Sequence, residues 1–248
     1  MKLLIDIGNT RLKWVMWDGR LLHDARAIGH REASASGFAA LWKDAHSIES
    51  AWIASVGSPA LETAVADCLR AQLNCPVEFA LSQAHACGVT SAYVRAADLG
   101  VDRFLGMIAA HAQETSASVI ASCGTAMTLD ALAADGTHLG GLITPGMRLM
   151  REALRVGTAR LENVPSGHIV QMADNTADAI ASGIQWTIVA AIERFVAHAA
   201  ARFDGEPALI LTGGDACEVS ALLAIPHRID ADIVLRGLAL FADSHTKR

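Results

Sequence analysis

The chain has no G-x-x-x-x-G-K-[ST] segment, and no two of its glycines stand one residue apart, so it has neither a P-loop nor the dinucleotide-binding fingerprint. Zinc-site spacing is missing as well: there is no C-x-x-C, and no two histidines lie closer than seven residues. The cysteines, Cys68, Cys75, Cys87, Cys123 and Cys217, are odd in number and unpatterned, and Met1 leads into a strand signal without a leader. A reduced, cytoplasmic protein is therefore expected. Cys123 has no histidine near it in sequence and reads as a small buried apolar residue rather than a nucleophile. Basic clusters are absent too: 20 Lys and Arg against 26 Asp and Glu give a net charge of −6, so no nucleic-acid partner is expected. Hydrophobic residues make up 52% of the chain, yet no run reaches the roughly eighteen uncharged apolar residues of a membrane span, and no membrane partner is expected.

At the start of the chain an apolar run, Leu3 to Ile7, carries one carboxylate, Asp6, into Gly8-Asn9-Thr10 and returns through Arg11, Leu12, Lys13 and Trp14. Short and aliphatic, the run reads as a buried strand, Gly8-Asn9 as a turn, and Leu12, Trp14 and Met16 as an alternating return strand. A glycine there lets backbone N–H groups and the Thr10 hydroxyl approach phosphate oxygens. Lys13 reaches the same oxygens, and Asp6 can hold the water shell of a phosphate-bound Mg²⁺. An ordinary hairpin, with Asp6 bonded to its own turn, fits these residues as well.

The pattern recurs. Val119 to Asp130 is again an apolar run, a Gly124-Thr125 turn and an alternating return strand. Each copy is followed by an Asp-Gly pair, Asp18-Gly19 and Asp135-Gly136, expected to supply a tight two-residue turn. A third glycine turn, Thr212-Gly213-Gly214-Asp215, follows the apolar run Ala208 to Leu211. Two similar halves, 1–115 and 116–248, are expected, with a cleft that grips a nucleotide from both sides.

A long helix is expected from Asn175-Thr176 to about Phe203, with Ile180, Ile184, Ile188 and Ile192 in one stripe beside Gly183. The stripe suits packing on the chain's own sheet or a subunit interface, and Thr176 serves as a polar, anion-friendly rim or, with Asn175, simply as the cap. A glycine-bearing loop also enters a helix at Gly100-Val101-Asp102-Arg103. There Asp102 can take a proton from a substrate hydroxyl while Arg103 clamps a carboxylate in fork geometry; otherwise Asp102 caps the helix and Arg103 is solvated. Tyr93, the only tyrosine, suits this site or a loop anchor equally.

Taken together, Asp6-x-Gly8-Asn9-Thr10-x-x-Lys13, Gly100-Val101-Asp102-Arg103, Cys123-Gly124-Thr125-Ala126-x-Thr128, Gly140-Gly141-x-Ile143-x-Pro145-Gly146, Asn175-Thr176-x-x-Ala179-x-x-x-Gly183 and Thr212-Gly213-Gly214-Asp215 resemble, in order and spacing, the type III pantothenate kinases. The resemblance spans about Leu4 to Leu240. It implies an α/β fold of duplicated ribonuclease-H-like domains, as in the acetate and sugar kinase, Hsp70 and actin superfamily. It also implies the first step of coenzyme A synthesis, ATP-dependent phosphorylation of pantothenate to 4'-phosphopantothenate, in a cytoplasmic homodimer. Carried over by residue, Asp6, Ile7, Gly8, Asn9, Thr10, Arg11, Leu12, Lys13 and Thr125 would contact ATP, with Asp6 linked to Mg²⁺ through water. Tyr93, Gly100, Val101, Asp102, Arg103 and Thr176 would contact pantothenate, with Asp102 the proton acceptor. The chain departs from the family at one position: Ser122 stands where the family often has an aspartate associated with a monovalent cation, K⁺ or NH₄⁺. Two other functions remain open at this point: a catalytically silent accessory protein of the same fold, against which both Asp6 and Asp102 speak, and a kinase of another small hydroxy acid.

Overall fold

The computed structural model describes residues 1–29, 38, 41, 42, 48–73, 75–203 and 205–246. They form two compact units, Met1–Gln113 with Asp232–Arg248, and Glu114–Ala231.

In the first unit β1 (Lys2–Ile7), β2 (Arg11–Trp17), β3 (Leu22–Gly29), β4 (Ser50–Ser55) and β5 (Val77–Phe79) form one sheet in the order β3-β2-β1-β4-β5. The β1-β2 and β2-β3 pairs are antiparallel, and β1-β4 and β4-β5 are parallel. Every residue of β1 except Asp6 is buried, as expected of an aliphatic central strand covered on both faces. Helix α1 (Pro59–Gln72) begins at Ser58, whose side chain accepts from the Leu61 amide, with Pro59 at the first helical position. A hairpin of β6 (His85–Ala86) and β7 (Val89–Thr90) precedes α2 (Val101–Gln113).

The second unit repeats the plan. Strands β8 (Ser118–Cys123), β9 (Ala126–Leu132), β10 (His138–Pro145), β11 (Ala208–Thr212) and β12 (Arg228–Ile229) lie in the order β10-β9-β8-β11-β12, with the same alternation of antiparallel and parallel pairs. Its helices are α3 (Met147–Gly157), α4 (Thr176–Ala200) and the short α5 (Ala216–Ser220). The duplication expected from the two glycine hairpins is thus present strand for strand.

Two expectations need correction. In both Asp-Gly turns only the glycine takes a left-handed conformation, Gly19 at φ 94° and Gly136 at φ 85°. The aspartates instead cap amides: Asp18 accepts from Arg20 and Leu21, each at 2.8 Å, and Asp135 from Thr137 at 2.9 Å. Second, the boundary at 115/116 places the last helix in the wrong half. Helix α6 (Ile233–Thr246) belongs to the first unit. Gly237 lets it touch α2 directly, since a Cβ there would stand 1.9 Å from the Leu105 carbonyl oxygen. Its Asp243 takes Lys2 at 2.6 Å and the Trp17 indole N–H at 3.1 Å. Of the two coverings left open for the isoleucine stripe of α4, its own sheet is the one observed. Ile188 and Ile192 pack in the second unit's core with Val119, Leu129 and Leu211, and Ile184 is 7% exposed. The helix leaves exposed Ala179, Gly183, Trp186 and Ala190, together with the polar Thr176, Thr187, Arg194 and His198 and with Ala197. By length and hydropathy α4 could cross a membrane, but half of its most apolar window is buried inside the protein.

Candidate active site

The first unit brings five of the expected site residues together on three elements and a loop. Asp6, next to last in β1, lies opposite Lys13 of β2 in the antiparallel register. The turn between them is closed by the Gly8 amide, which donates to the Arg11 carbonyl at 3.0 Å, leaving Asn9, Thr10 and Arg11 exposed at its tip. Ile7 and Leu12 are fully buried in the core, so only their main chain can face a ligand. The Asp6 carboxyl is raised to about 7, first by burial and then by the negative charge of Asp102, with Lys13 acting the other way. That coupling joins the β1 carboxylate to the start of α2. Two neighbouring carboxylates of this kind suit a divalent cation.

At the start of α2, Gly100 gives room to Asp102: a Cβ there would stand 2.7 Å from the Asp102 Oδ1. The same oxygen accepts from the Arg103 amide at 2.8 Å, so Asp102 does cap the first turn, as the structural reading of the sequence allowed. Arg103, by contrast, is not solvated; it is 7% exposed. Its Nη1 donates to the Tyr93 hydroxyl at 2.9 Å and its guanidinium carbon lies 5.7 Å from the centroid of that ring. Tyr93 thus anchors the guanidinium. The carbonyl of Leu99, just before Gly100, accepts from Ser82 Oγ at 2.8 Å, which fixes the loop.

Beside Asp6 is a segment that carried no signal in the sequence. Because β4 runs parallel to β1, Ser55 lies opposite Ile7, and the Val56 amide donates to the Ile7 carbonyl at 3.0 Å. A Cβ on Gly57 would come within 2.9 Å of the Ile7 side chain. The order of parallel strands, invisible without the fold, is what brings Ser55 to Ser58 to the phosphate-type turn.

In the second unit three glycine segments stack. The Asp215 amide donates to the Cys123 carbonyl at 3.0 Å, and Gly213, at φ 95°, permits this approach because a Cβ would stand 2.2 Å from the same oxygen. The Gly146 amide donates to the Thr125 carbonyl at 3.0 Å. Thr125 and Ser122 are half-buried at this turn. Burial, with Asp215 nearby, pushes the Cys123 thiol up to about 12, so it stays protonated and inert. Asp130, an acid that could have stood in for a carboxylate at Ser122, is 2% exposed and bonded to His138 Nε2 at 3.0 Å. Thr176 is exposed at the first residue of α4, behind the cap Asn175, whose side chain accepts from the Asp178 amide at 3.0 Å.

Comparison with known proteins shows the family. Residues 2–199 match the family model described as type III pantothenate kinase. The chain is 39% identical over 98% of its length to all of a type III pantothenate kinase of Chromobacterium violaceum. It is 35% identical over its whole length to one of Nitrosococcus oceani, of which it covers 96%. Among solved structures, an activator of 2-hydroxyisocaproyl-CoA dehydratase from Clostridium difficile with bound ADPNP aligns over 99% of this chain and 95% of its own, at a TM-score of 0.57 and 12% identity, a likeness of fold alone. By its sequence, this chain belongs to the type III pantothenate kinases.

Proposed function

We propose that the chain transfers the γ-phosphoryl group of ATP to the 4'-hydroxyl of pantothenate, opening coenzyme A synthesis. The observation that carries this reading is the meeting of Asp6, Lys13, Asp102 and a buried, tyrosine-anchored Arg103 in the first unit. Phosphoryl transfer needs positioning and charge stabilisation more than covalent groups. Lys13 and the turn Gly8 to Thr10 meet ATP phosphate oxygens, and Thr125 is a further contact to ATP. Asp102 accepts the hydroxyl proton as the new P–O bond forms. Arg103, its plane fixed by Tyr93, presents its fork to the pantothenate carboxylate, and Thr176 adds a hydroxyl donor. Mg²⁺ bound with ATP would neutralise the phosphate oxygens, and Asp6, whose carboxyl is raised first by burial and then by the charge of Asp102, is the residue that would hold its water shell.

Three finer readings belong to the same proposal. A monovalent cation, K⁺ or NH₄⁺, sits near Ser122 on a hydroxyl and backbone carbonyls, without a carboxylate. The working form is a homodimer, supported by the small-residue face of α4 at Ala179, Gly183 and Ala190 around the half-exposed Trp186. The compartment is the cytoplasm, which five free cysteines suit. The test is ADP release by the purified protein with MgATP and a panel of small hydroxy acids: pantothenate should be turned over well above the rest, and equal or better turnover of another acid would overturn the assignment.

A further inference from the structure

A cavity of about 490 Å³, lined entirely by residues of the second unit, has no part in the roles given above. Met147, Ala181 and Ile184 give it apolar walls, while Gln185, Asp215 and Glu218 add polar ones, a size and mixture typical of small-molecule pockets. Arg148 and Arg151 of α3 also border it. Met147 and Asp215 in addition line a smaller space against Cys123, Gly124 and Gly146. The cavity therefore adjoins the Gly124 turn.

Gln185 stands out on that wall. It is 3% exposed, and its Nε2 donates to Glu218 Oε1. A carboxylate only accepts, so Glu218 fixes which way the carboxamide is turned. The Gln185 Oε1 has no hydrogen-bond partner among the described residues. Tying α4 to α5 would account for the nitrogen, but it leaves a buried acceptor unpaired, and such acceptors are rare and costly. A ligand that sets a donor against this oxygen would satisfy it.

We propose that Gln185, held by Glu218, selects an amino-bearing nucleobase. Its Oε1 accepts from the exocyclic amine of adenine, whereas hypoxanthine and guanine set a carbonyl oxygen at the same place, acceptor against acceptor. The proposal rests on the reading of Thr125 as an ATP contact, and it makes Gln185 a specificity-determining residue rather than a catalytic one. Comparing kcat/KM for ATP and ITP, with calorimetric binding of ADP and IDP, tests it. The wild type should favour the adenine nucleotides by at least about tenfold. Gln185→Met should bring that ratio to within about twofold while the KM for pantothenate stays put. Glu218→Gln, at an exposed residue, frees the carboxamide to turn and should also lower the ratio, so the test survives if Gln185→Met does not fold. Equal use of ATP and ITP by the wild type, or a preference unchanged in both variants, overturns the assignment of Gln185. Either result leaves the ATP contact standing, which fails, and the base assignment with it, only if neither ADP nor IDP binds to the folded protein.

Discussion

Asp6 and Arg103 are the residues whose environments depart furthest from what their types prefer, and each departure is measurable. The Asp6 carboxyl titrates near 7 in the folded chain against an ordinary 3.8. Between those values the folded state holds a proton that the unfolded state has lost, so stability contributed by Asp6 is full at low pH and declines as pH rises through that window. Asp6→Asn should flatten this part of the melting temperature against pH in nucleotide-free protein, and an unchanged slope would show that Asp6 is already ionised. Arg103 is buried with its guanidinium held by Tyr93, and pantothenate brings a carboxylate that suits its fork. Arg103→Lys should raise the KM for pantothenate about tenfold or more, because an ammonium cannot reproduce the planar fork. Pantothenol, which lacks the carboxylate, should be a poor substrate of the wild type. Efficient phosphorylation of pantothenol would remove the clamp. The burial of Arg103 was not legible in the sequence. Its partner Tyr93 lies ten residues away across an irregular loop, and only the folded loop sets the hydroxyl 2.9 Å from Nη1.

At the scale of elements, what could be read was what local chemistry determines. The β1-β2 turn and its counterpart after β8 announce themselves through an aliphatic run, a glycine and an alternating return, and both stand where they were expected. Turn detail was less legible, because Asp18 and Asp135 can serve either by adopting positive φ or by capping amides, and hydrogen bonding to the following residues wins. The α4 stripe is another such choice: isoleucine every fourth residue fixes one apolar face but not what covers it, and the sheet of the second unit does. The end of β8 carries a testable consequence of one residue. Ser122 pairs with Thr128 and Thr212 at the glycine turn, and Asp130 is taken up by His138. A hydroxyl dipole attracts K⁺ less than a carboxylate does. Stimulation by K⁺ or NH₄⁺ should therefore persist at a higher half-saturating concentration than in Ser122→Asp. Rate against KCl, at ionic strength held with a bulky organic cation, measures this, and a flat wild-type profile would mean that no cation is used.

Over the whole molecule the duplication was legible, since two glycine hairpins about 117 residues apart head two sheets of identical strand order. The return of the last helix to the first unit was not, because it depends on backbone contact at Gly237 and on Asp243 meeting Lys2 and Trp17 from the far end of the chain. A homodimer should appear in light scattering at about twice the 26.1 kDa of one chain, with Trp186→Glu on the outward face of α4 weakening it; a fully active wild-type monomer would reject that assembly. The central claim is that Asp102 removes the proton from pantothenate while ATP is held by the rest of the site. Its most direct test is the rate of 4'-phosphopantothenate formation by wild type and Asp102→Asn at saturating MgATP, with melting temperature and ADP binding measured alongside. The variant should lose roughly 10²–10⁴ in kcat while remaining folded and still binding ADP, and a variant as active as the wild type would contradict the account, leaving Asp102 as nothing more than the cap of its helix.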